Sequence, residues 1–283
     1  MAMLLEGKKV TANLKERLTA DVEALKARGI VPTLAIVRVG EKEDAIAYER
    51  GATKRCESVG VEVRSVLLSE EATHDEMMAT VESLNKDKNV HGVLILRPLP
   101  KHMDEAKIVA ALAPEKDIDG ITDISMVGTY ANKITGFDPC TPEACMEILE
   151  FFGIETTGKN AVVVGRSLVV GKPAAMMLLK RNATVTVCHT KTQNLPEICK
   201  RADILVVCAG KAKAVGADCV SPGQTVIDVG INVDDEGKLC GDVDFEAVEP
   251  IVGAITPVPG GVGTVTTSVL VKHVVEAAKR QNP

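Results

Sequence analysis

The chain has 283 residues, of which 46% are hydrophobic and 25% charged, a composition typical of a soluble globular protein. At a usual domain size of about 100–200 residues, this length predicts two domains. The net charge of −6, without a basic stripe of useful length, argues against nucleic-acid binding. No apolar run approaches the ~20 residues that span a bilayer. The start, MAMLLEGKKV, lacks the apolar core of a secretory signal, so we expect a cytoplasmic protein without membrane contact.

The eight cysteines are scattered through apolar contexts such as VVCAG and VTVCHT, and none of them forms a CxxC pair. In a chain of this length, such a distribution predicts buried, reduced thiols and no disulfide framework. The absence of paired cysteines also argues against a structural zinc site, so we expect no bound metal.

The first half of the chain alternates helical and strand patterns. In chain order, we predict a helix at 8–28, a strand at 32–39, a helix at 43–58, a strand at 61–68, a helix at 73–87, a strand at 90–96 and a short helix in DEAKIVAAL. Thr73 and Glu76 have the spacing of a capping box. Because parallel strands need crossover helices, this alternation predicts a parallel sheet.

Residues 113–141 interrupt the pattern with Pro, Gly, Asp and Thr, so we expect irregular structure and the domain boundary here. A second α/β series follows, beginning with a helix that has Thr141 as N-cap and Pro142 at its first position. The remaining predictions are strands at 160–165, 184–189, 203–210, 224–230 and 250–256, with helices at 171–181, 195–201 and 264–280.

The turn GRSLVVGKP (165–173) joins a strand to a helix, which is the context of a dinucleotide-binding loop. Glycines there let the backbone approach a pyrophosphate, and the helix N-terminus offers free N–H groups. The spacing Gly-Arg-Ser-x-x-x-Gly differs from the usual GxGxxG, so a turn that only packs a helix on a sheet is an alternative.

The next strand ends in CHTKT (188–192), where the adenosine ribose of a dinucleotide is expected. An acidic residue at this place would favour NAD. The chain instead has His189, Thr190 and Lys191, which together with Arg166 form a donor-rich pocket suited to a 2′-phosphate. We therefore expect NADP in preference to NAD, the alternative being an exposed basic loop.

Four motifs, GRSLVVGKP, PEKDIDG (114–120), PCTP (139–142) and TPVPGGVGTVTTSVL (256–270), resemble those of the methylenetetrahydrofolate dehydrogenase/cyclohydrolase family. The resemblance covers essentially the whole chain. It implies two α/β domains flanking a cleft: a folate-side domain at 1–140 and a Rossmann-type NADP domain at 141–263. It also implies that the last helix, about 264–283, packs back on the first domain, and that homodimers form through the cofactor domains.

The resemblance also implies two activities of one-carbon metabolism, which feeds purine biosynthesis. The dehydrogenase moves a hydride from the methylene carbon of 5,10-methylenetetrahydrofolate to NADP, giving a 5,10-methenyl cation. The cyclohydrolase adds water to that cation and opens it to 10-formyltetrahydrofolate. Asp119 in KDIDG is expected to accept hydrogen bonds from the pterin, although a turn residue in an Asp-Gly loop is the alternative.

The site residues expected from these motifs fall into three sets. Tyr48 and Asp119 are expected to be catalytic. Substrate contacts are expected from Tyr48, Leu96, Pro98, Asp119, Pro257, Gly260 and Gly261. Cofactor contacts are expected from Gly165, Arg166, Ser167, Gly171, His189, Thr190, Lys191, Gly210, Gly230 and Ile231.

The chain departs from the family pattern at two positions. The family helix reads like Y-x-x-x-K-x-K-x-C, and here Tyr48 and Cys56 fit while Ala52 stands at the first lysine, on which hydrolysis depends. The family strand reads like G-x-L-V-Q-L-P-L-P, and here Leu96 stands at the glutamine. Arg97 is adjacent, but alternation along a strand predicts that it faces the opposite side. We therefore predict a dehydrogenase whose cyclohydrolase activity is weak or absent.

Three other interpretations stay open at this stage. The protein could be fully bifunctional, with another group supplying the function of the missing lysine. It could be a Rossmann dehydrogenase for a different substrate, which would leave KDIDG and PCTP unexplained. It could also be a folate- or NADP-binding module without turnover.

Overall fold

The protein, described here as a computed structural model covering residues 1–234 and 236–283, is built of alternating helices and strands. The helices are α1 (Gly7–Ala27), α2 (Glu43–Glu57), α3 (His74–Lys86), α4 (Glu105–Ala111), α5 (Asp123–Ala131), α6 (Cys140–Phe151), α7 (Gly171–Lys180), α8 (Leu195–Cys199), α9 (Phe245–Val248) and α10 (Val262–Gln281). The strands are β1 (Met3–Leu4), β2 (Thr33–Val39), β3 (Glu62–Leu68), β4 (Gly92–Ile95), β5 (Asn160–Val164), β6 (Thr184–Cys188), β7 (Ile204–Val207), β8 (Thr225–Asp228), β9 (Asn232–Val233), β10 (Leu239–Cys240) and β11 (Ala254–Ile255).

Contacts divide the chain into two compact units. The six-stranded unit comprises Met1–Ala12 and Thr141–Thr266, and the three-stranded unit comprises Asn13–Cys140 and Thr267–Pro283. The sequence analysis places residues 1–12 in the N-terminal domain, whereas their contacts group them with the six-stranded unit. The reason is that β1 pairs in parallel with β11, with Met3 opposite Ala254, and so joins the other sheet.

The six-stranded sheet has the order β1-β11-β8-β7-β5-β6, and all its pairings are parallel. The central strands β7 and β8 are buried along their whole length, which explains their nearly continuous apolar sequence. The strand order reverses between β6 and β7, the two neighbours of β5. Ligands of such sheets bind at this switch point, beyond the carboxyl ends of the strands. The predicted α/β class with a Rossmann-type C-terminal part is confirmed.

The three-stranded sheet has the order β3-β2-β4 and is also parallel. Its central strand β2 buries Leu34–Val37 completely. The predicted capping box at the start of α3 is confirmed: the Glu76 N–H donates to Thr73 Oγ1 at 3.2 Å, and the Thr73 N–H donates to Glu76 Oε2 at 2.7 Å.

The segment 113–141 is more regular than predicted, because it contains α5 and a 3-10 turn at Pro114–Lys116. The fully buried Asp117 carboxylate organises the start of α5, accepting hydrogen bonds from the N–H groups of Ile121 and Thr122 and from the Ser125 hydroxyl. The next helix, α6, begins at Cys140, so Thr141 is not its N-cap as predicted.

All eight cysteines lie in the described part of the chain, and none of them forms a disulfide. Six of them are buried, and Cys208 and Cys240 are half-buried. Within residues 1–234 and 236–283, no helix is long and apolar enough to cross a membrane. The same residues contain no group of three or more His, Cys, Asp or Glu side chains arranged to hold a metal ion.

Candidate active site

A cavity of about 330 Å³ opens at the carboxyl ends of β2 and β4 in the three-stranded unit. It is lined by Arg38, Val39, Lys42, Asp44, Ala45, Tyr48, Leu94, Ile95, Leu96, Arg97, Pro98 and Asp119. Tyr48, Leu96, Pro98 and Asp119, which the sequence predicts at the substrate, thus lie around one space. The parallel sheet explains this, because it brings the exits of neighbouring strands to the same edge.

Tyr48 contributes a neutral phenol to this cavity. Desolvation raises the pKa of Tyr48 well above its usual value, although 42% of the side-chain surface is still exposed. The nearby Asp119 and Cys140 raise the pKa further. The phenol therefore keeps its proton at neutral pH and can donate a hydrogen bond, but it is a poor base.

Asp119 contributes a carboxylate that titrates close to neutral pH. Burial raises the pKa of Asp119 to about 6, and the negative charge of Asp117 acts in the same direction. The Arg97 guanidinium opposes this shift and favours the ionised form. Above pH 6, Asp119 is consequently an acceptor for N–H groups of a bound ligand.

Ala52 lies one turn after Tyr48 on α2 and leaves only 1% of its surface exposed. A spacing of four residues places the two side chains on the same face of the helix. The methyl group is packed into the interior at the position where the family pattern has an ammonium. Lys54, the next lysine of the pattern, is exposed.

The structure corrects the prediction for Arg97. Because β4 ends at Ile95, strand alternation no longer applies beyond it, and Leu96 and Arg97 both line the cavity. Arg97 Nη1 lies 3.5 Å from Glu105 Oε1, and the other oxygen of Glu105 accepts the Leu99 N–H at 3.0 Å. Glu105 thus holds both the arginine and the loop that carries it.

Three charged residues of the same cavity are not predicted by the motifs: Arg38, Lys42 and Asp44. Arg38 Nε contacts Glu49 Oε2 at 2.6 Å, each side chain being only 13% exposed, and Arg38 also donates to the Gly40 carbonyl. A lone arginine inside the apolar strand PTLAIVRV is a signal that could have marked this position. Such a charge is rarely buried without a partner.

The glycine-rich turn lies at the switch point of the six-stranded sheet. Gly165 follows β5 with a φ of +139°, and a Cβ there would lie 2.3 Å from the Cys208 carbonyl oxygen. A Cβ on Gly171 would lie 2.3 Å from the Gly165 carbonyl oxygen. Ser167 Oγ accepts the Val170 N–H at 3.1 Å, and the exposed Arg166 stands beside it. Only glycines permit so close a turn, and its open face fits a pyrophosphate.

The basic segment 189–191 follows β6, whose last residue Cys188 is paired with Val164 of β5. The exits of these two strands are therefore adjacent, and they bring the segment next to the glycine-rich turn. His189 Nδ1 accepts the Lys191 N–H at 3.1 Å, while Thr190 and Lys191 are exposed. Arg166 and the segment 189–191 together form a donor-rich rim.

A second cavity, of about 220 Å³, lies at the carboxyl ends of β8 and β11 in the six-stranded unit. It is lined by Asp228–Ile231, Leu239 and Pro257–Thr264. Gly230, Ile231, Pro257, Gly260 and Gly261 of the predicted set lie here and not in the Tyr48 cavity. Gly210 is tied to the same region, since its N–H donates to Asp242 Oδ2 at 2.8 Å.

A parallel sheet with a glycine-rich turn at its switch point defines an α/β protein with a Rossmann-type dinucleotide-binding unit. Comparison with protein families identifies it further. Residues 5–119 match the tetrahydrofolate dehydrogenase/cyclohydrolase catalytic domain, and residues 139–282 match the NAD(P)-binding domain of the same family. The chain belongs to the tetrahydrofolate dehydrogenase/cyclohydrolase family, as the motifs predict.

Individual relatives agree with this membership. The bifunctional protein FolD of Carboxydothermus hydrogenoformans is 52% identical, over 100% of this chain and 99% of the relative. The crystal structure of bifunctional FolD from Campylobacter jejuni has a TM-score of 0.95 and 40% identity, over 99% of both chains. The FolD structure from Trypanosoma brucei, a complex with NADP and an inhibitor, has a TM-score of 0.90 and 33% identity, over 99% of this chain and 98% of that one.

Proposed function

We propose that this chain oxidises 5,10-methylenetetrahydrofolate to 5,10-methenyltetrahydrofolate with NADP, and that its cyclohydrolase step is weak or absent. The observation that carries the second half is the buried methyl of Ala52, on the same helix face as Tyr48. Leu96, an apolar side chain at the family's glutamine position, lines the same cavity and supports the proposal.

The oxidation step depends on the position and alignment of the substrate more than on acid–base catalysis. The hydride leaves a carbon that lies between two nitrogens, and their lone pairs stabilise the resulting cation. What the protein must supply is a held and aligned substrate. Asp119, ionised above pH 6, can accept hydrogen bonds from the pterin, and the Tyr48 hydroxyl can donate one. When bound, NADP supplies the hydride acceptor in its nicotinamide ring.

The hydrolysis step needs a group that accepts a proton from water, and Tyr48, Arg38 and Arg97 do not supply one. Water that attacks the methenyl cation must lose a proton, and a lysine beside the phenol would help to take it. Here the raised pKa of Tyr48 keeps the phenol protonated. Arg38 and Arg97 also line the cavity, but their guanidinium groups have N–H donors and no acceptor for a proton. In this proposal the cavity holds the cation without activating water, because α2 places no amine one turn after Tyr48.

NADP is the cofactor that the donor set fits. Arg166 and Lys191 can pair with a 2′-phosphate, His189 and Thr190 can add hydrogen bonds, and no carboxylate in the segment 188–192 competes. The complex of the T. brucei relative with NADP supports this preference. If these residues hold the phosphate, NAD should replace NADP only with a much higher KM.

A homodimer in the cytoplasm completes the proposal. The strand β6 forms one edge of the six-stranded sheet, and its residue Val187 leaves 40% of its surface exposed, as a contact between copies would require. Light scattering should then give about twice the chain mass of 30.0 kDa. Thiols that form no disulfide support a reducing compartment.

A fully bifunctional enzyme is the second candidate, and two observations favour it. The relative with 52% identity is named as bifunctional, and Lys42 places another amine on the wall of the Tyr48 cavity. If Lys42 performed the proton transfer, Lys42→Met would abolish hydrolysis and leave NADPH formation nearly unchanged.

Separation of the products distinguishes these possibilities. Purified protein is mixed with methylenetetrahydrofolate and NADP, NADPH is followed by absorbance, and the methenyl and 10-formyl products are quantified by chromatography. The proposal predicts NADPH formation with methenyltetrahydrofolate as the product that accumulates. Lack of NADPH would contradict the dehydrogenase, and 10-formyl product appearing as fast as NADPH would establish the bifunctional alternative.

A further inference from the structure

Two buried carboxylates lie beneath the smaller cavity of the six-stranded unit. Asp228 ends β8 and is 3% exposed, and Asp242 follows β10 and is fully buried. Neither side chain belongs to the set predicted from the motifs. Buried carboxylates are costly unless all their oxygens are hydrogen-bonded, so their retention requires an explanation.

Six N–H groups satisfy the two carboxylates. Asp242 accepts from Gly210 N at 2.8 Å, from Lys211 N at 2.9 Å and from Asn232 Nδ2 at 2.9 Å. Asp228 accepts from the backbone N–H groups of Gly230 at 2.9 Å, Asp242 at 3.0 Å and Val243 at 3.0 Å. These bonds link three separate loops, which follow β7, β8 and β10, into one network.

The backbone around the carboxylates leaves no room for other side chains. A Cβ on Gly241 would lie 1.7 Å from Asp228 Oδ2, and a Cβ on Gly230 would lie 2.4 Å from the Asp242 carboxyl carbon. The carboxylates therefore fix the loops at contact distance. Asp228 also connects the network to the strand before Pro257, because its N–H donates to Thr256 Oγ1 at 2.8 Å.

We propose that Asp242 and Asp228 are positioning residues that hold the Gly210, Gly230 and Ile231 loops in the shape required by the nicotinamide half of NADP. The cavity wall is formed by Asp228–Ile231, next to the loop 257–264. The glycine-rich turn at 165–171 and the segment 189–191 are predicted at the pyrophosphate and the adenosine ribose. Among the hydrogen bonds of the described residues, neither segment contacts these carboxylates. This inference rests on NADP being the cofactor, as proposed above.

An aspartate-to-asparagine exchange tests the network with little change of volume. In Asp242→Asn, an NH2 group replaces an oxygen that faces N–H donors, so a buried donor loses its partner. Calorimetric titration with NADP and with 2′,5′-ADP, which lacks the nicotinamide half, separates the two ends of the pocket. We expect the Kd of NADP to rise about tenfold and that of 2′,5′-ADP to stay within about twofold.

Turnover provides a second readout. In Asp242→Asn, kcat should fall about tenfold while the KM of methylenetetrahydrofolate stays within about twofold, because none of the six bonds of the network reaches a residue of the Tyr48 cavity. The matched control is Asp203→Asn: this exposed carboxylate also accepts one backbone N–H, from Asn160 at 2.8 Å, but at the amino ends of the strands. The control should match the wild type in both titrations.

An equal rise in the Kd of NADP and of 2′,5′-ADP would overturn the inference, since a general loss of structure affects both halves of the pocket. An unchanged Kd for both ligands would overturn it as well. If Asp242→Asn does not fold, the same two titrations are made with Asn232→Leu. This variant removes only one of the six donors, so we expect the Kd of NADP to rise about threefold and the Kd of 2′,5′-ADP to stay unchanged. A wild type that binds NADP but does not turn over would instead contradict the proposed function.

Discussion

Tyr48 and Ala52 lie one turn apart on α2, and only the first of them carries a polar group. Position 52 is only 1% exposed, so the side chain of a lysine there would start in the interior and extend to the phenol. Desolvation there would lower the pKa of the ammonium, which is the property a proton-transfer group needs. The absence of that group, not any damage to the cavity, is the reason to expect slow hydrolysis.

Changing Ala52 and Leu96 to the residues of the family pattern should restore part of the hydrolysis activity. We expect Ala52→Lys together with Leu96→Gln to raise the methenyltetrahydrofolate hydrolysis rate about tenfold or more, since a general acid–base group is typically worth about 10²–10⁴-fold. Each single change should do less, because the glutamine acts by orienting the lysine. Absorbance decay of the methenyl substrate measures the rate.

The control for this pair is Gly51→Lys, which adds the same charge to the same helix at a site where an added Cβ would meet no neighbouring group within 4 Å. It should leave the rate at the wild-type value. An equal gain from the control would mean that any added cation near the cavity suffices.

The charge on Asp119 predicts how the dehydrogenase responds to pH. Because the pKa of Asp119 is raised to about 6, its carboxylate is protonated as the pH falls through that value, and kcat/KM should fall with it. Arg97 favours the ionised form, so Arg97→Leu should raise this pKa further and move the acid limb to higher pH. The measurement is the pH profile of NADPH formation.

Arg64→Leu is the matched control for Arg97, since Arg64 pairs with Asp87 at 2.6 Å elsewhere in the three-stranded unit. Its acid limb should coincide with that of the wild type. A limb that moves to lower pH in Arg97→Leu would contradict the role given to the guanidinium.

At the scale of elements, strands and helices were predictable where the signal is local. Val/Ile-rich runs mark buried parallel strands, and Thr73 with Glu76 marks a helix start within four residues of chain. The helix α5 was missed although its N-cap Thr122 is a local signal, because the Pro, Gly, Asp and Thr residues of 113–141 indicate irregular structure. Its start is also organised by Asp117, a buried carboxylate six residues upstream of Asp123. No pattern in a single sequence reports such a contact.

The residues of the site, like the elements, could be predicted where a local motif marks them. Tyr48 and Asp119 could be found from their motifs, and the structure places them around one cavity. Arg38 belongs to none of the motifs, and only its place as a lone charge inside an apolar strand could have marked it. The orientation of Arg97 was predicted wrongly because β4 ends at Ile95, two residues before it.

The capping box of α3 provides a test at this scale. Thr73→Ala removes the acceptor of the Glu76 N–H and should cost about 1 kcal/mol of local stability. Hydrogen exchange in the first turn of α3 should then accelerate about fivefold. Ser83→Ala, a change at an exposed site further along the same helix, should leave that turn unaffected. Equal acceleration in both variants would contradict the capping role.

At the scale of the whole molecule, the two units carry different parts of the predicted site. The Tyr48 cavity and its charges belong to the three-stranded unit, and the glycine-rich turn belongs to the six-stranded unit. Substitutions in the Tyr48 cavity should consequently change the kinetic constants of the folate, and substitutions in the glycine-rich turn should change those of the cofactor.

Cofactor preference tests this separation. Arg166→Ala should raise the KM of NADP about tenfold and leave that of NAD within about twofold, because only NADP has the 2′-phosphate. The KM of methylenetetrahydrofolate should not change. Lys180→Ala, which removes a positive charge from the far end of α7, is the control and should alter none of these constants. A parallel rise for NADP and NAD would show that Arg166 contacts a part common to both.

The most direct test of the central claim is the decay of methenyltetrahydrofolate with the wild-type protein at neutral pH. Its rate is compared with that in buffer alone, on protein samples whose NADPH formation has been verified. A chain with a buried methyl at position 52 should leave the decay at the buffer rate while it reduces NADP. Decay that rises in proportion to protein concentration, at a rate comparable with NADPH formation, would contradict the account.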